Sequence, residues 1–369
     1  MSIVLSASVR QNLLSLQSTA DLLSTTQNRL ATGNKVNSAL DNPTNFFTAQ
    51  GLNNRASDIN NLLDSIGNGV QVLQAANTGI TSLQKLVDTA KSIANQVLQA
   101  PAGYTTKSTV TSTAIGTGTA ADLVDGTVID ATDVLSIAAS TGHDAFSFTF
   151  TATSSLADLN TALAASNYSA SLDSSNQLVI TTTNDTASST IGAVTFTNTG
   201  GGTLTFGAVA APVADAASQT IRASLVKQYN DIITQVTTTS QDASFNGINL
   251  LNGDDLKLTF NETGKSTLNI KGVTFNAAGL GLASLTSGTD FLDNSSANAA
   301  LTKLSAASTT LRTQASSLGS NLSVVQIRQD FNKNLINVLQ TGSSNLTLAD
   351  TNEEAANSQA LSTRQSIAV

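Results

Sequence analysis

The sequence predicts a mostly helical chain with an α+β insertion, in which long terminal helices lie antiparallel as a coiled-coil rod. Apolar residues recur at spacings of three and four near both ends of the chain, the pattern of helices that meet along a narrow seam. Between these parts, residues 104–215 are rich in Thr, Ser and Gly and carry short alternating runs typical of strands. An aromatic content of only 4% also favours narrow helical seams over a compact enzyme core.

The first element, residues 1–42, is predicted to be a helical segment with an apolar stripe. Gly33 and the Asn42-Pro43 pair mark a break before the next helix. Because an isolated helix is marginal in water, we expect this segment to be disordered in a single copy and to pack against a neighbouring copy. Its stripe consists of Leu13, Leu16, Leu23 and Leu30.

Residues 43–103 are predicted to form the N-terminal rod helices and carry the strongest periodic signal. Spacings of three and four alternate over about five heptads, a helix over 57–99 would be ~60 Å long, and Pro101 ends it. The seam residues are Ile59, Leu63, Ile66, Val70, Leu73, Ile80, Leu83, Val87, Ala90, Ala94 and Val97.

Residues 104–215 are predicted to be an inserted β-rich domain. Strand signals lie at 146–150, 178–181 and 194–197, with a short helix over 156–165. Residues 101–215 contain one Lys and nine Asp, whereas the flanking parts are nearly neutral. We therefore expect a solvated middle, and ends that many copies can pack together without charge repulsion.

The remaining chain is predicted as a rod helix plus a β-hairpin region over 216–291, a C-terminal rod helix over 292–348, and the start of a last helix over 349–369. The apolar stripe of the second rod helix shifts phase near 327–331. Its packing residues are Leu304, Leu311, Leu318, Leu322, Phe331 and Leu335.

The sequence contains few residues that could form a catalytic or metal-binding site. It has no Cys and one His, so His143 is expected at the surface and a catalytic triad is not expected. The acidic run of Asp122, Asp125, Asp130 and Asp133 lacks the order of a calcium loop. We expect no cofactor, no nucleic-acid binding, since a basic stripe is absent, and no membrane insertion, since no apolar run approaches ~20 residues. The N-terminus also lacks the pattern of a Sec signal.

Four ordered motifs resemble the bacterial flagellins, in an alphaproteobacterial-like form. Arg29-Leu-Ala-Thr-Gly33 and Asn37-Ser-Ala-Leu-Asp41 match the family's N-terminal signature, and the helix over 58–96 is similar to its long rod helix. The segment 242–254 resembles the family's Phe-Asn-Gly segment, and Leu318-Gly319 with 350–355 resembles the pattern before its last helix. The resemblance also implies that residues 1–42 and 349–369 form a pair of helices lining the inner tube of a filament, and that residues 104–215 form a variable outer domain. The C-terminus is shorter than is usual for the family, so we expect the pair of inner-tube helices to be incomplete.

The resemblance implies a structural protein that is exported unfolded by the flagellar type III apparatus and assembles with itself into an extracellular filament for swimming motility. It also implies an export chaperone, a cap and hook-junction proteins as partners. Two alternatives stay open. One is a hook–filament junction (hook-associated) protein, which shares part of the pattern. The other is a cell-surface homologue whose acidic block binds a ligand.

Overall fold

The computed structural model describes residues 7–368, and long helices at both ends of the chain determine its architecture. Residues 1–6 of the predicted segment 1–42, and Val369 of 349–369, lie outside the described residues. The predicted mostly helical class with small antiparallel sheets is confirmed. The helices are α1 (Ala7–Thr32), α2 (Pro43–Gln99), α3 (Leu156–Ala164), α4 (Ala216–Asp242), α5 (Asn294–Thr347) and α6 (Thr351–Ala368).

Helix α2 runs without a break for 57 residues, which makes it about 85 Å long. It begins at Pro43, where proline's missing N–H costs nothing, and the Asn42 side chain accepts a hydrogen bond from the N–H of Asn45 at 3.0 Å. It ends at Gln99, just before Pro101. The apolar seam alone predicted a helix over 57–99, and the observed helix begins about 14 residues before that range.

Helix α5 lies antiparallel to α2, and the two bury heptad-spaced residues against each other. The pairing is fixed at one end by a hydrogen bond from Ser343 Oγ to the carbonyl of Ala49. Buried positions of α5 recur every seven residues from Ala297 to Leu339, without the phase shift that the sequence predicted. The buried residues are Ala297, Ala300, Leu304, Ala307, Ser308, Leu311, Leu318, Val325, Asn332, Ile336, Leu339 and Ser343.

The predicted phase shift is wrong because the core position in this part of α5 is occupied by a polar residue, Asn332, which a search for apolar periodicity does not detect. Asn332 is buried, and its Nδ2 donates a hydrogen bond of 3.0 Å to the carbonyl oxygen of Phe260. The neighbouring Phe331, which was predicted to pack in the rod, is 55% exposed on the outer side of α5. Leu335 is half-buried beside the small cluster that contains Ile336 and Leu339.

A third layer covers the α2–α5 pair along part of its length. Helix α4 packs on the C-terminal half of α2, and below it lies the hairpin of β9 (Leu256–Thr259) and β10 (Thr267–Ile270). Its strands pair Leu258 with Leu268. The hairpin comes so close to α2 that a side chain at Gly69 would collide with Leu258. Helices and hairpin therefore share one continuous core.

Replacing Asn332 with Ala should weaken this junction. The change leaves the buried Phe260 carbonyl without its donor, and a buried unsatisfied acceptor costs about 1–3 kcal/mol. We expect the urea midpoint to fall accordingly, measured by far-UV circular dichroism. Asn334→Ala, at an exposed position of the same helix, is the matched control. Equal midpoints for the two variants would contradict a stabilising role for the Asn332 hydrogen bond.

Residues between α2 and α4 form a separate block with its own core. Its two three-stranded antiparallel sheets have the strand orders β2–β6–β5 and β4–β3–β7, and α3 packs against them. A two-stranded pair, β1–β8, stands where the chain enters and leaves the block. The strands are β1 (Tyr104–Thr106), β2 (Thr109–Ala114), β3 (Val134–Ile137), β4 (Phe146–Thr149), β5 (Tyr168–Leu172), β6 (Gln177–Thr182), β7 (Val194–Thr197) and β8 (Val213–Ala214).

The block joins the helices at a hydrogen-bonded neck. The buried Arg222 of α4 donates to the carbonyls of Pro101 and Phe291 and to Asn294 Oδ1, so it ties three segments together. Burial lowers the pKa of this guanidinium. Asp293, the N-cap of α5, accepts a hydrogen bond of 2.5 Å from Ser188 Oγ of the block.

Candidate assembly surface

Exposed apolar side chains concentrate at the end of the molecule that carries both chain termini. Of the large apolar side chains that are exposed among the described residues, thirteen lie in 9–47 or 324–367, and four lie elsewhere. Exposed apolar side chains gathered in one part of a molecule are candidates for an interaction site. The thirteen are Val9, Leu13, Leu14, Leu22, Leu30, Leu40, Phe47, Val324, Ile327, Phe331, Val338, Leu348 and Ile367.

Helix α1 has a partner within the chain, which corrects the expectation that it has none. Helix α6 lies antiparallel against it, and an ion pair of 3.2 Å joins Arg29 Nη1 to Glu354 Oε1. Gly33 ends α1 with a φ of +70°, a conformation that suits glycine, and its carbonyl accepts a hydrogen bond from the N–H of Ala349. These contacts hold the start of α6 beside the end of α1.

The α1–α6 pair leaves most of the apolar surface of α1 uncovered. The side of α6 that faces α1 is mainly polar, with Leu361 as its one large apolar residue among Glu354, Ser358 and Gln365. On α1, Leu16 and Leu23 are half-buried, while the predicted stripe residues Leu13 and Leu30 are exposed. Sequence periodicity also missed the exposed Leu14 and Leu22, which lie beside that stripe.

Helix α5 carries a second, exposed apolar stripe, about a third of a turn around the helix from the side that packs on α2. Val324, Ile327, Phe331 and Val338 are separated by three, four and seven residues, so they lie on one side of the helix. All four are exposed, with Ile327 and Val338 each 66% exposed. We call these four residues the outer stripe. It has the spacing of a coiled-coil seam but no partner among the described residues.

A rigid turn joins the α1–α6 pair to the α2–α5 pair. Asp41 Oδ2 accepts hydrogen bonds from the N–H groups of Ser38 at 2.8 Å and Asn37 at 2.9 Å. These two bonds, with Ser38 first, lower the pKa of Asp41, so the carboxylate stays ionised at neutral pH. Leu40, at the tip of this turn, is 96% exposed.

The predicted packing residues fall into three groups according to their burial. Leu16, Leu23, Leu63, Leu322 and Leu335 are half-buried, whereas Leu13, Leu30 and Phe331 are exposed and do not pack inside the chain. The fully buried group lies in the helical core and consists of Ile59, Ile66, Val70, Leu73, Leu83, Leu304, Leu311 and Leu318. The exposed group is available to a neighbouring molecule.

Carboxylates of the acidic run accept hydrogen bonds from nearby loops of the inserted block. Burial raises the pKa of Asp125, but hydrogen bonds from the Thr127 hydroxyl and from the N–H groups of Val128, Thr127 and Ile129 outweigh that effect and hold this pKa well below its ordinary value. Asp133 accepts hydrogen bonds from Thr199. Over residues 7–368, no group of three or more acidic or His side chains is arranged to hold a metal ion.

His143 is buried, so the expectation of a surface histidine is wrong. Its ring stacks on Tyr168 with a centroid distance of 4.2 Å, and Nδ1 lies 2.8 Å from the carbonyl oxygen of Ser166. This geometry gives the ring a packing role inside the block. Among the described helices, none is both long and apolar enough to pass through a bilayer.

Comparison with known proteins agrees with these observations. Residues 4–117 match the family model of the bacterial flagellin N-terminal helical region. Flagellin FljM of Caulobacter vibrioides is 31% identical to this chain over 150 residues. That alignment covers 39% of this chain and 52% of FljM, so the chain spans about half the length of this curated relative. Over residues 4–117 the chain is therefore similar to the N-terminal helical region of bacterial flagellins.

Proposed function

We propose that the chain is a structural subunit that assembles with copies of itself into the bacterial flagellar filament, which serves swimming motility. The observation that carries this proposal is the apolar surface left exposed on α1 and on the outer stripe, because a chain so nearly neutral at its ends gains by covering that surface with other copies. The match of residues 4–117 to the flagellin model supports it.

In this proposal, α2, α4, the hairpin and α5 form a coiled-coil rod, with the boundaries 43–103, 216–291 and 292–348. The segments 1–42 and 349–369 line the inner tube, and residues 104–215 form the outer domain. The arrangement of the two cores supports this division, because one core joins the helices and the hairpin while the other lies inside the block. The acidic character of the block suits a solvated outer position.

We further propose that the chain is exported to the cell exterior and meets an export chaperone, a cap and hook-junction proteins on the way. A filament subunit is favoured over a junction protein or a ligand-binding homologue because both matches are to flagellins. We assign it no catalytic activity. This assignment is supported by His143, whose ring is buried and engaged with Tyr168 and Ser166.

The test is polymerisation of the purified chain. On addition of a precipitating salt or of short filament seeds, we expect sedimentable tubes of uniform width in electron micrographs. Salts such as sulfate strengthen apolar burial, so tube formation should rise with sulfate concentration. A chain that stays monomeric under all these conditions, with its helices folded by circular dichroism, would contradict the proposal.

A further inference from the structure

The most exposed large apolar side chain among the described residues belongs to Leu40, and the turn that carries it is locked. Asp41 Oδ2 accepts hydrogen bonds from the N–H groups of Asn37 and Ser38 and, at 3.2 Å, from the Ser38 hydroxyl. The N–H of Leu40 itself donates to Ser38 Oγ at 3.2 Å. These bonds order the backbone that carries the leucine, which lowers the entropy cost of binding it.

A cavity of about 280 Å³ lies beside this turn. The buried Val36 and Ala49 and the half-buried Phe46 contribute the apolar part of its lining. Amide side chains, including those of Gln50 and Asn53, stand around it. The cavity is large enough for a leucine side chain.

We propose that Leu40 of one copy inserts into this cavity of the next copy. This inference rests on the proposed filament function and names one contact between its subunits. The projecting side chain and the cavity are different parts of the surface, so a contact made in one direction only is head-to-tail and can continue from copy to copy along a filament.

A second copy fits this cavity better than an unrelated protein does. One leucine buries a small fraction of the roughly 800 Å² per partner that a standard interface needs. The contact therefore holds only where other surfaces already bring the partner close. Those surfaces are adjacent on this chain, since Thr347 of the cavity wall is followed by the exposed Leu348 and α5 carries the outer stripe.

The test uses the absence of cysteine from the chain. One sample contains Leu40→Cys, and a second sample, with a different mass tag, contains Gln50→Cys or Asn53→Cys. Each pair is copolymerised and oxidised, so any disulfide between the two tags joins different molecules. We expect the mixed dimer with at least one rim position, because a disulfide requires Cα atoms within about 7 Å. Leu40→Cys paired with Val213→Cys, exposed near the neck, should give none.

A second measurement concerns the strength of the contact. Leu40→Ser should raise the critical concentration for polymerisation about tenfold, equivalent to about 1.4 kcal/mol, while Leu40→Met should stay close to wild type. Polymers that form normally with Leu40→Ser, or that give no mixed dimer at either rim position, would overturn the Leu40 contact and leave the filament proposal standing. Failure of the wild-type chain to polymerise would instead remove the function on which the inference rests.

Discussion

Leu73→Asp is expected to destroy the α2–α5 core and abolish the proposed assembly. Leu73 is fully buried in the core that the helices share with the hairpin. Deleting a buried leucine side chain costs about 2–5 kcal/mol, and an unpaired buried carboxylate adds several kcal/mol. The sum approaches the 5–15 kcal/mol that stabilises a typical domain. We therefore expect a large loss of helical signal in far-UV circular dichroism and no sedimentable polymer.

The adjacent Gln74 provides the matched control for this experiment. It is exposed on the same turn of α2, so Gln74→Asp adds the same charge without entering the core. This control should fold and keep its helical signal. If Leu73→Asp folded and assembled like the wild type, the buried side of α2 would be wrongly assigned, and with it the pairing of α2 with α5.

The helical core could be predicted from the sequence because its residues are apolar and regularly spaced. The seam of α2 from Ile59 to Val97 is buried in the structure, and only Leu63 remains half-exposed. The hairpin could also be predicted, because Leu256 and Leu258 alternate with polar residues at the two-residue period of a strand. In both cases one physical rule, apolar side chains inward, determines the pattern.

The wrong predictions for α5 and for the α1–α6 pair concern positions where polar residues make the packing contacts that apolar residues were expected to make. Asn332 occupies a core position of α5 because the hairpin supplies the Phe260 carbonyl as a partner, and that partner lies 72 positions away in the chain. Helix α1 was expected to lack a complete partner because the C-terminus is shorter than is usual for the family that the sequence resembles, and α6 has almost no apolar stripe. Helix α6 pairs with α1 through Glu354 and Arg29. Long-range polar partners of this kind leave no periodic signal.

The candidate assembly surface was predictable only in part. The exposed stripe residues of α1 were identified, but their partner was expected outside the chain altogether. The outer stripe was missed because Phe331 and Leu335 were assigned to the core, so Val324 and Ile327 were left out. At about 100° per residue, the core side and the outer stripe of α5 differ by roughly a third of a turn. Without the position of α2, the sequence does not say which of the two apolar stripes faces inward.

Phe331→Asp is therefore expected to separate folding from assembly. Its side chain lies on the outer stripe and contributes nothing to the core between α2 and α5. The helical signal and the thermal midpoint should match those of the wild type. In the proposed filament, the change removes about 1.5–3 kcal/mol of apolar burial per contact and places an unpaired charge in an apolar interface. The critical concentration should therefore rise at least about 100-fold.

Gln326→Asp is the control, since Gln326 is exposed on α5 but lies about 130° around the helix from the outer stripe. It should polymerise near the wild-type critical concentration, measured by sedimentation. Loss of folding in Phe331→Asp would mean that the outer stripe packs within the chain after all. Normal polymers from a folded Phe331→Asp would mean that neighbouring copies leave this stripe in water. Only folded monomers that fail to assemble agree with an outer stripe that one copy presents to the next.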